Sequence, residues 1–142
     1  MTAPPTTYTV RAVTSTPGHA VVHAGSEIVQ FDAGWGAEPS GLPGPAELLA
    51  SAFSACLLKN LERASKLLGF QYEGAEVEVT ARRQDAPPKF VEITYLMRIV
   101  TDEPERRLEL VHRNLRNHGT VYNTLAAACD VHGTVSAIRD SQ

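Results

Sequence analysis

The chain has 142 residues, 43% of them hydrophobic and 20% charged, which is enough to bury a sizeable core without staples, and one domain over residues 1–142 is expected. Its net charge of −3 gives neither nucleic acid nor an acidic membrane surface an electrostatic reason to bind. No run approaches the roughly 18 apolar residues that span a bilayer, and Met1 to Thr7 lacks the basic patch and apolar core of a signal peptide, so a cytoplasmic protein is expected.

TYTVRAVT alternates Tyr8, Val10 and Ala12 against Thr9, Arg11 and Val13 and predicts a half-buried strand. HAVVHAGSEIVQF predicts a hairpin turning at Ala24, Gly25 and Ser26, where glycine can take a positive φ. DAGWGAEPSGLPGP, from Asp32 to Pro45, is dense in Gly and Pro and predicts an irregular loop. A long helix follows from about Pro45 to Leu68, with Gly69 placed to cap it. From Leu48 to Leu58 every side chain is apolar or small, so this half is expected to be buried nearly all round; Lys59, Glu62, Arg63 and Lys66 give the second half a wet face. Ala50, Ser51, Ala52, Ser54 and Ala55 would let another helix approach closely, from this chain or from another.

Beyond Gly69, AEVEVTARRQDAPPKFVEITYLMRIV predicts two strands joined at DAPP, with Val77, Val79 and Ala81 on one face of the first and Val91, Ile93, Tyr95 and Met97 on one face of the second. A second helix is expected with Thr101 or Asp102 as its cap, Pro104 in its first turn, Leu108, Val111 and Leu115 on one stripe and Gly119 at its end. The run Glu103, Glu105, Arg106, Arg107 and Glu109 mixes signs and reads as that helix's wet face, with no groove for phosphate. VYNTLAAAC predicts a short helix and VHGTVSAI a last strand. Three strands, a helix, two strands, two helices and a strand make an α+β fold rather than an alternating βαβ one. With no repeat, GxGxxG or P-loop glycine pattern, no nucleotide or other cofactor is expected.

Cys56 and Cys129 lie outside any CxxC or Cys/His spacing that would hold zinc, so no metal is expected and a reducing compartment would keep both as thiols. Cys56 has two readings: free cysteine packs as a small, inert hydrophobe, or it serves as a nucleophile. GPAELLASAFSAC resembles the cysteine helix of the OsmC/Ohr superfamily, in which a Pro-x-Glu-Leu-Leu start leads to a cysteine about three turns on. HGTVYNTLAAACDVHGTV is similar to that family's later elements, and the likeness covers nearly the whole chain. The resemblance implies antiparallel sheets wrapped around long central helices in an intertwined homodimer, with active sites at the subunit interface. It also implies a thiol peroxidase acting on organic hydroperoxides, in which an attacking cysteine becomes a sulfenic acid and a second cysteine resolves it.

The departures bear on that activity. The family's second cysteine opens the stretch that is here Gly119, Thr120, Val121, Tyr122, Asn123, so a one-cysteine reaction is implied, with an external thiol as reductant and Cys129 as the alternative resolving group. The arginine that the peroxidase members carry after the first strand is absent from STPGHA, and Ala46 stands ten residues before Cys56 where they carry glutamate. Glu47 matches the glutamate of other branches and is the candidate catalytic partner of Cys56; dipole complementarity in the first helical turn is its other reading. Arg11, His19 and His118 are candidate positive groups for a thiolate. Their alternatives are a solvated strand residue, an exposed loop residue and a helix C-terminal cap. Tyr122 and Trp35 could line an apolar pocket or simply pack in a core. Two other functions stay open: a dimer of this fold that binds an apolar small molecule without catalysis, and a thiol redox sensor in which Cys56 and Cys129 pair.

Overall fold

The computed structural model describes residues 6–36 and 38–139, with elements in the order β1 (Arg11–Thr16), β2 (His19–Ala24), β3 (Glu27–Asp32), α1 (Pro45–Leu68), β4 (Gly74–Asp85), β5 (Pro88–Val100), α2 (Glu105–His118), α3 (Thr120–Ala126) and β6 (Asp130–Ile138). This is the α+β order read from the sequence. The chain divides into two compact units, one ending at Leu48 and the other starting at Leu49.

In the first unit β1, β2 and β3 form an antiparallel meander. Gly18 (φ 86°) and Gly25 (φ 61°) supply the left-handed residues its two turns need. The first strand starts at Arg11 rather than Thr7, because six-residue β2 can ladder only six residues of its neighbour; Tyr8 and Val10 lie outside the sheet and exposed. Val13, Ile28 and Val29 are exposed too, and Ala20 is the buried apolar residue of the sheet. In the following loop Asp32 accepts bonds from the Gly34 N–H (2.7 Å) and the Ser40 hydroxyl (2.9 Å), which hold its carboxyl below the usual range.

The start of α1 has one arm of a capping box: the Gly44 carbonyl accepts the Leu48 N–H (3.0 Å) as the first bond of the helix, and Glu47 reaches back to accept the Gly44 N–H at 2.7 Å. Glu47→Ala is therefore expected to lose about 0.5–1 kcal/mol in denaturant unfolding. Glu47→Gln, which can make the same bond, should stay within a few tenths of a kcal/mol of wild type, so any loss of activity in that variant reports on the charge. At its other end α1 closes in a Schellman motif, with Gly69 at φ 63° and the Phe70 N–H bonded to the Ser65 carbonyl (3.1 Å).

In the second unit β4, β5 and β6 form one sheet. The antiparallel pattern expected for the sheets holds for β4–β5, whereas β6 pairs parallel to β5. The helical crossover of α2 and α3 between them is what a parallel pairing requires. One face of the sheet, built on Ile93, Tyr95, Met97 and Ile99, meets Phe53, Leu57, Leu61 and Ala64 of α1 and Leu108, Val111 and Leu115 of α2 in a single core. The other face carries ion pairs: Arg98–Glu76 (2.9 Å), Arg82–Glu92 (3.3 Å) and His132–Glu92 (3.0 Å).

Two expectations need correction. The first half of α1 is not buried all round within the chain: Phe53 and Leu57 face the core, while Ser51, Ala52, Ala55 and Leu58 are exposed, because one sheet can cover only one side of a helix. Neither Thr101 nor Asp102 caps α2. The Thr101 hydroxyl donates to the Gln71 carbonyl (2.6 Å) and accepts the Glu103 N–H (3.0 Å), and Pro104 occupies the cap position with no side-chain bond.

Candidate functional site

Cys56 sits half-buried about three turns into α1, on the side that turns toward the end of α2. That end is Gly119, which closes α2 through its N–H to the Leu115 carbonyl (3.2 Å) and opens α3 by accepting the Asn123 N–H (2.9 Å). Its φ of −76° suits any residue, so space rather than conformation calls for glycine. A Cβ at this position would stand 3.0 Å from the Tyr122 Cβ, 3.1 Å from the Leu115 carbonyl oxygen and 3.2 Å from the Cys56 sulfur. Gly119 is thus packed directly against the Cys56 side chain.

That spacing has a consequence for an engineered thiol. A disulfide asks for about 3 Å between one Cβ and the far sulfur, so Gly119→Cys is expected to pair with Cys56 under mild oxidation, removing two free thiols with no change in oligomeric mass. A thiol titration that finds all of them free after oxidation would contradict the juxtaposition.

Beside this junction the core is aromatic. Phe53, one turn before Cys56, packs on Tyr95 (ring centroids 5.8 Å) and Tyr122 (5.6 Å). The Tyr95 hydroxyl lies 2.6 Å from His112 Nε2 and 3.4 Å from the Tyr122 hydroxyl, so a buried polar chain crosses the core from α2 through β5 to α3. Burial, then the bond to Tyr122, pushes the Tyr95 phenol well above its ordinary value. Burial, then the charge of Arg116, pulls His112 below its own. Both groups are neutral at neutral pH, and the single Tyr95 proton serves one neighbour while its oxygen accepts from the other.

The hydrogen-bond partner of the Cys56 sulfur among the described residues is Asn60, whose side-chain nitrogen lies 3.5 Å away. The same nitrogen donates to the Cys56 carbonyl at 2.9 Å. Cys129 is also half-buried at the end of α3, with its sulfur 3.5 Å from the Leu125 carbonyl. His118 is exposed in the last turn of α2. Tyr122 is a core residue, 5% exposed. In the first unit Arg11 and His19 are exposed, Trp35 is fully so, and Glu47 is committed to the helix cap.

The sequence reading passed over Asn60 and His112. Both carry a signal: Asn60 follows Cys56 by one helical turn, between the core positions Leu57 and Leu61, and His112 falls beside Val111 on the apolar stripe of α2. On the outer face of the sheet Glu92, Asp130 and His132 each offer a ligand atom within 4.8 Å of the others, but Arg82 already pairs with Glu92 there. A cavity of about 670 Å³ among the described residues is lined by polar groups including Gln71, Glu73, Asp102, Glu103 and Arg107, and neither Cys56 nor its aromatic neighbours take part in it. Among the described residues no helix is long and apolar enough to cross a membrane.

The OsmC-like protein family matches residues 38–132 of the chain. Among solved structures, an OsmC-like protein from Mycoplasma pneumoniae superposes with a TM-score of 0.84 at 18% identity, over 94% of this chain and 98% of that one. An organic hydroperoxide resistance protein OsmC from Legionella pneumophila gives 0.70 at 16% identity, over 95% and 98%. The organic hydroperoxide resistance protein OhrB of Bacillus subtilis gives 0.67 at 13% identity, over 90% and 98%. At these identities the likeness is one of fold. Among curated proteins none matches the sequence.

Proposed function

The chain belongs to the OsmC-like protein family, and from that premise we propose that it reduces organic hydroperoxides with Cys56 as the nucleophile, as a homodimer drawing on an external thiol. The observation that carries this reading is the setting of Cys56: a half-buried cysteine whose sulfur has a side-chain hydrogen-bond donor in Asn60 and lies beside the α2–α3 junction at Gly119. Two similar folds are named for organic hydroperoxide resistance, which agrees with it.

The chemistry needs one thiolate. Cys56 attacks the distal oxygen of ROOH, the O–O bond breaks, and the alkoxide takes a proton to leave as ROH, with the sulfur oxidised to a sulfenic acid. Because Gly119 stands where a resolving thiol would, the sulfenic acid meets an external thiol, loses water and forms a mixed disulfide; a second external thiolate then attacks the external sulfur of that disulfide, releasing the Cys56 thiolate and leaving joined to the first as an external disulfide. A reducing cytoplasm would supply that thiol. Glu47, as a supporting carboxylate, is the part of the proposal that Glu47→Gln addresses.

Two exposed surfaces support the homodimer. Ser51, Ala52, Ala55 and Leu58 leave a small-residue strip of α1 open, and the first unit's sheet exposes Val13, Ile28 and Val29 with little core of its own. The test of function is consumption of cumene hydroperoxide with dithiothreitol as reductant. The protein should exceed an equal concentration of a free small thiol by orders of magnitude and prefer the organic substrate to hydrogen peroxide; a rate equal to that of the free thiol would overturn the proposal. The absence of a cationic hydrogen-bond partner on the Cys56 sulfur among the described residues favours a second reading, a dimer that binds an apolar molecule without turning it over. Saturable, Cys56-dependent turnover would exclude that.

A further inference from the structure

We infer that Asn60 is the residue that holds the Cys56 sulfur as a reactive thiolate, a positioning role that rests on the hydroperoxide reading above. Its amide carries two hydrogens, and the structure gives each a place: the Cys56 carbonyl at 2.9 Å and the Cys56 sulfur at 3.5 Å. The carbonyl oxygen only accepts, so the atom facing it must be the nitrogen; the orientation of the amide follows, and with it the direction of the second N–H toward the sulfur.

The bond to the carbonyl is not needed by the helix. In α1 that carbonyl already receives the backbone N–H of Asn60, four residues on, so the side chain adds a second donor to a satisfied acceptor. Asparagine is also a poor residue for a helix interior. What the arrangement achieves is to lock a half-buried amide against the sulfur. A neutral thiol accepts a hydrogen bond weakly and a thiolate accepts it strongly, so the contact favours the ionised form that attacks peroxide. Cys56 lies well beyond the first turn of its helix, where the dipole helps little. Of the titratable groups on the neighbouring elements, Tyr122, Tyr95 and His112 are joined to one another, Arg116 and His118 of α2 are exposed, the charge of Arg116 acting on His112 and Tyr95, and Arg63 of α1 is bonded to Asn114. Asn60 is left as the donor at the sulfur.

Two variants test this. Asn60→Leu removes both donors while keeping the branched shape of the side chain, and Asn60→Asp replaces them with acceptors and a negative charge beside the sulfur. Each is followed in a Cys129→Ser background by the rate of Cys56 alkylation with iodoacetamide against pH, alongside thermal unfolding. For Asn60→Leu the rate of Cys56 alkylation at neutral pH should fall about tenfold; Asn60→Asp should fall further. Asn60→Ala reports the same quantity should the leucine disturb packing. Thermal transitions like that of the parent together with superimposable pH–rate curves would overturn the inference. The hydroperoxide reading fails separately: if Cys56 of the parent alkylates with the Asn60-dependent profile but does not react with cumene hydroperoxide, the positioning role stands and the peroxidase does not.

Discussion

Replacing Cys56 by serine is expected to lower kcat/KM for cumene hydroperoxide by at least about 10³, to the level of the buffer thiol alone. Serine keeps the volume and the helix, and its hydroxyl is not ionised at neutral pH, so it cannot attack the O–O bond. Because the loss is one of chemistry, the thermal transition should stay within a few degrees of wild type. The comparison with Cys129→Ser sharpens it. In the structure it is Gly119 that packs on the Cys56 sulfur, while Cys129 lies against the Leu125 carbonyl at the end of α3. Cys129→Ser should therefore retain turnover with an external thiol. An equal loss in the two variants would mean that both sulfurs take part, as the sensor or two-cysteine alternatives require.

Gly133→Ala is expected to be the most damaging single methyl group in the second unit. Gly133 pairs with Tyr95 across the parallel β5–β6 ladder, and a Cβ there would overlap the Tyr95 carbonyl oxygen and come within 2.5 and 2.6 Å of its Cγ and Cδ1. Two of those atoms belong to a ring base that is 4% exposed, and the third to the backbone of a central strand, so nothing nearby can step aside cheaply. The expected cost is about 3 kcal/mol or more, the upper end for overpacking, read as a fall in the thermal midpoint of about 10 °C. The same methyl would tilt Tyr95, whose hydroxyl joins His112 to Tyr122, and a lowered turnover in whatever fraction folds should accompany the lost stability. A midpoint within two degrees of wild type would mean that the β5–β6 pairing is looser than described.

The elements most easily read in the sequence are those whose ends are set by local chemistry. Pro45 and Gly69 bracket α1 because proline suits a first turn and glycine a left-handed cap, and Leu108, Val111 and Leu115 sit on the core because helical spacing alone places them together. What the sequence did not disclose depends on partners distant along the chain. The parallel register of β6 is decided by where the α2–α3 crossover returns, and the exposed strip of α1 by how much of a helix one sheet can cover. Thr101 looks like a cap by position, yet its hydroxyl is taken by Gln71, thirty residues earlier.

At the site, Cys56 stood out in the sequence, and Gly119 stood out as a departure. Their contact became visible only when the α2–α3 junction was seen against α1. Glu47 drew attention for its match to a family position, and the structure gives its carboxylate a bond to Gly44 that serves the helix. The polar chain through Tyr95 was hidden because tyrosine on an alternating strand reads as an apolar residue until its hydroxyl finds a partner.

The central claim is that Cys56 is an activated nucleophile for organic hydroperoxides, and the most direct measurement is the rate of its single-turnover oxidation. Pre-reduced protein is mixed with cumene hydroperoxide or hydrogen peroxide, quenched, and weighed intact for the gain of one oxygen, with Cys56→Ser as the control. The expected result is fast oxidation confined to Cys56 that prefers the organic peroxide by at least about tenfold. Oxidation at the pace of a free thiol, with no preference between the two peroxides, would contradict the claim and leave Cys56 as an inert core residue of α1.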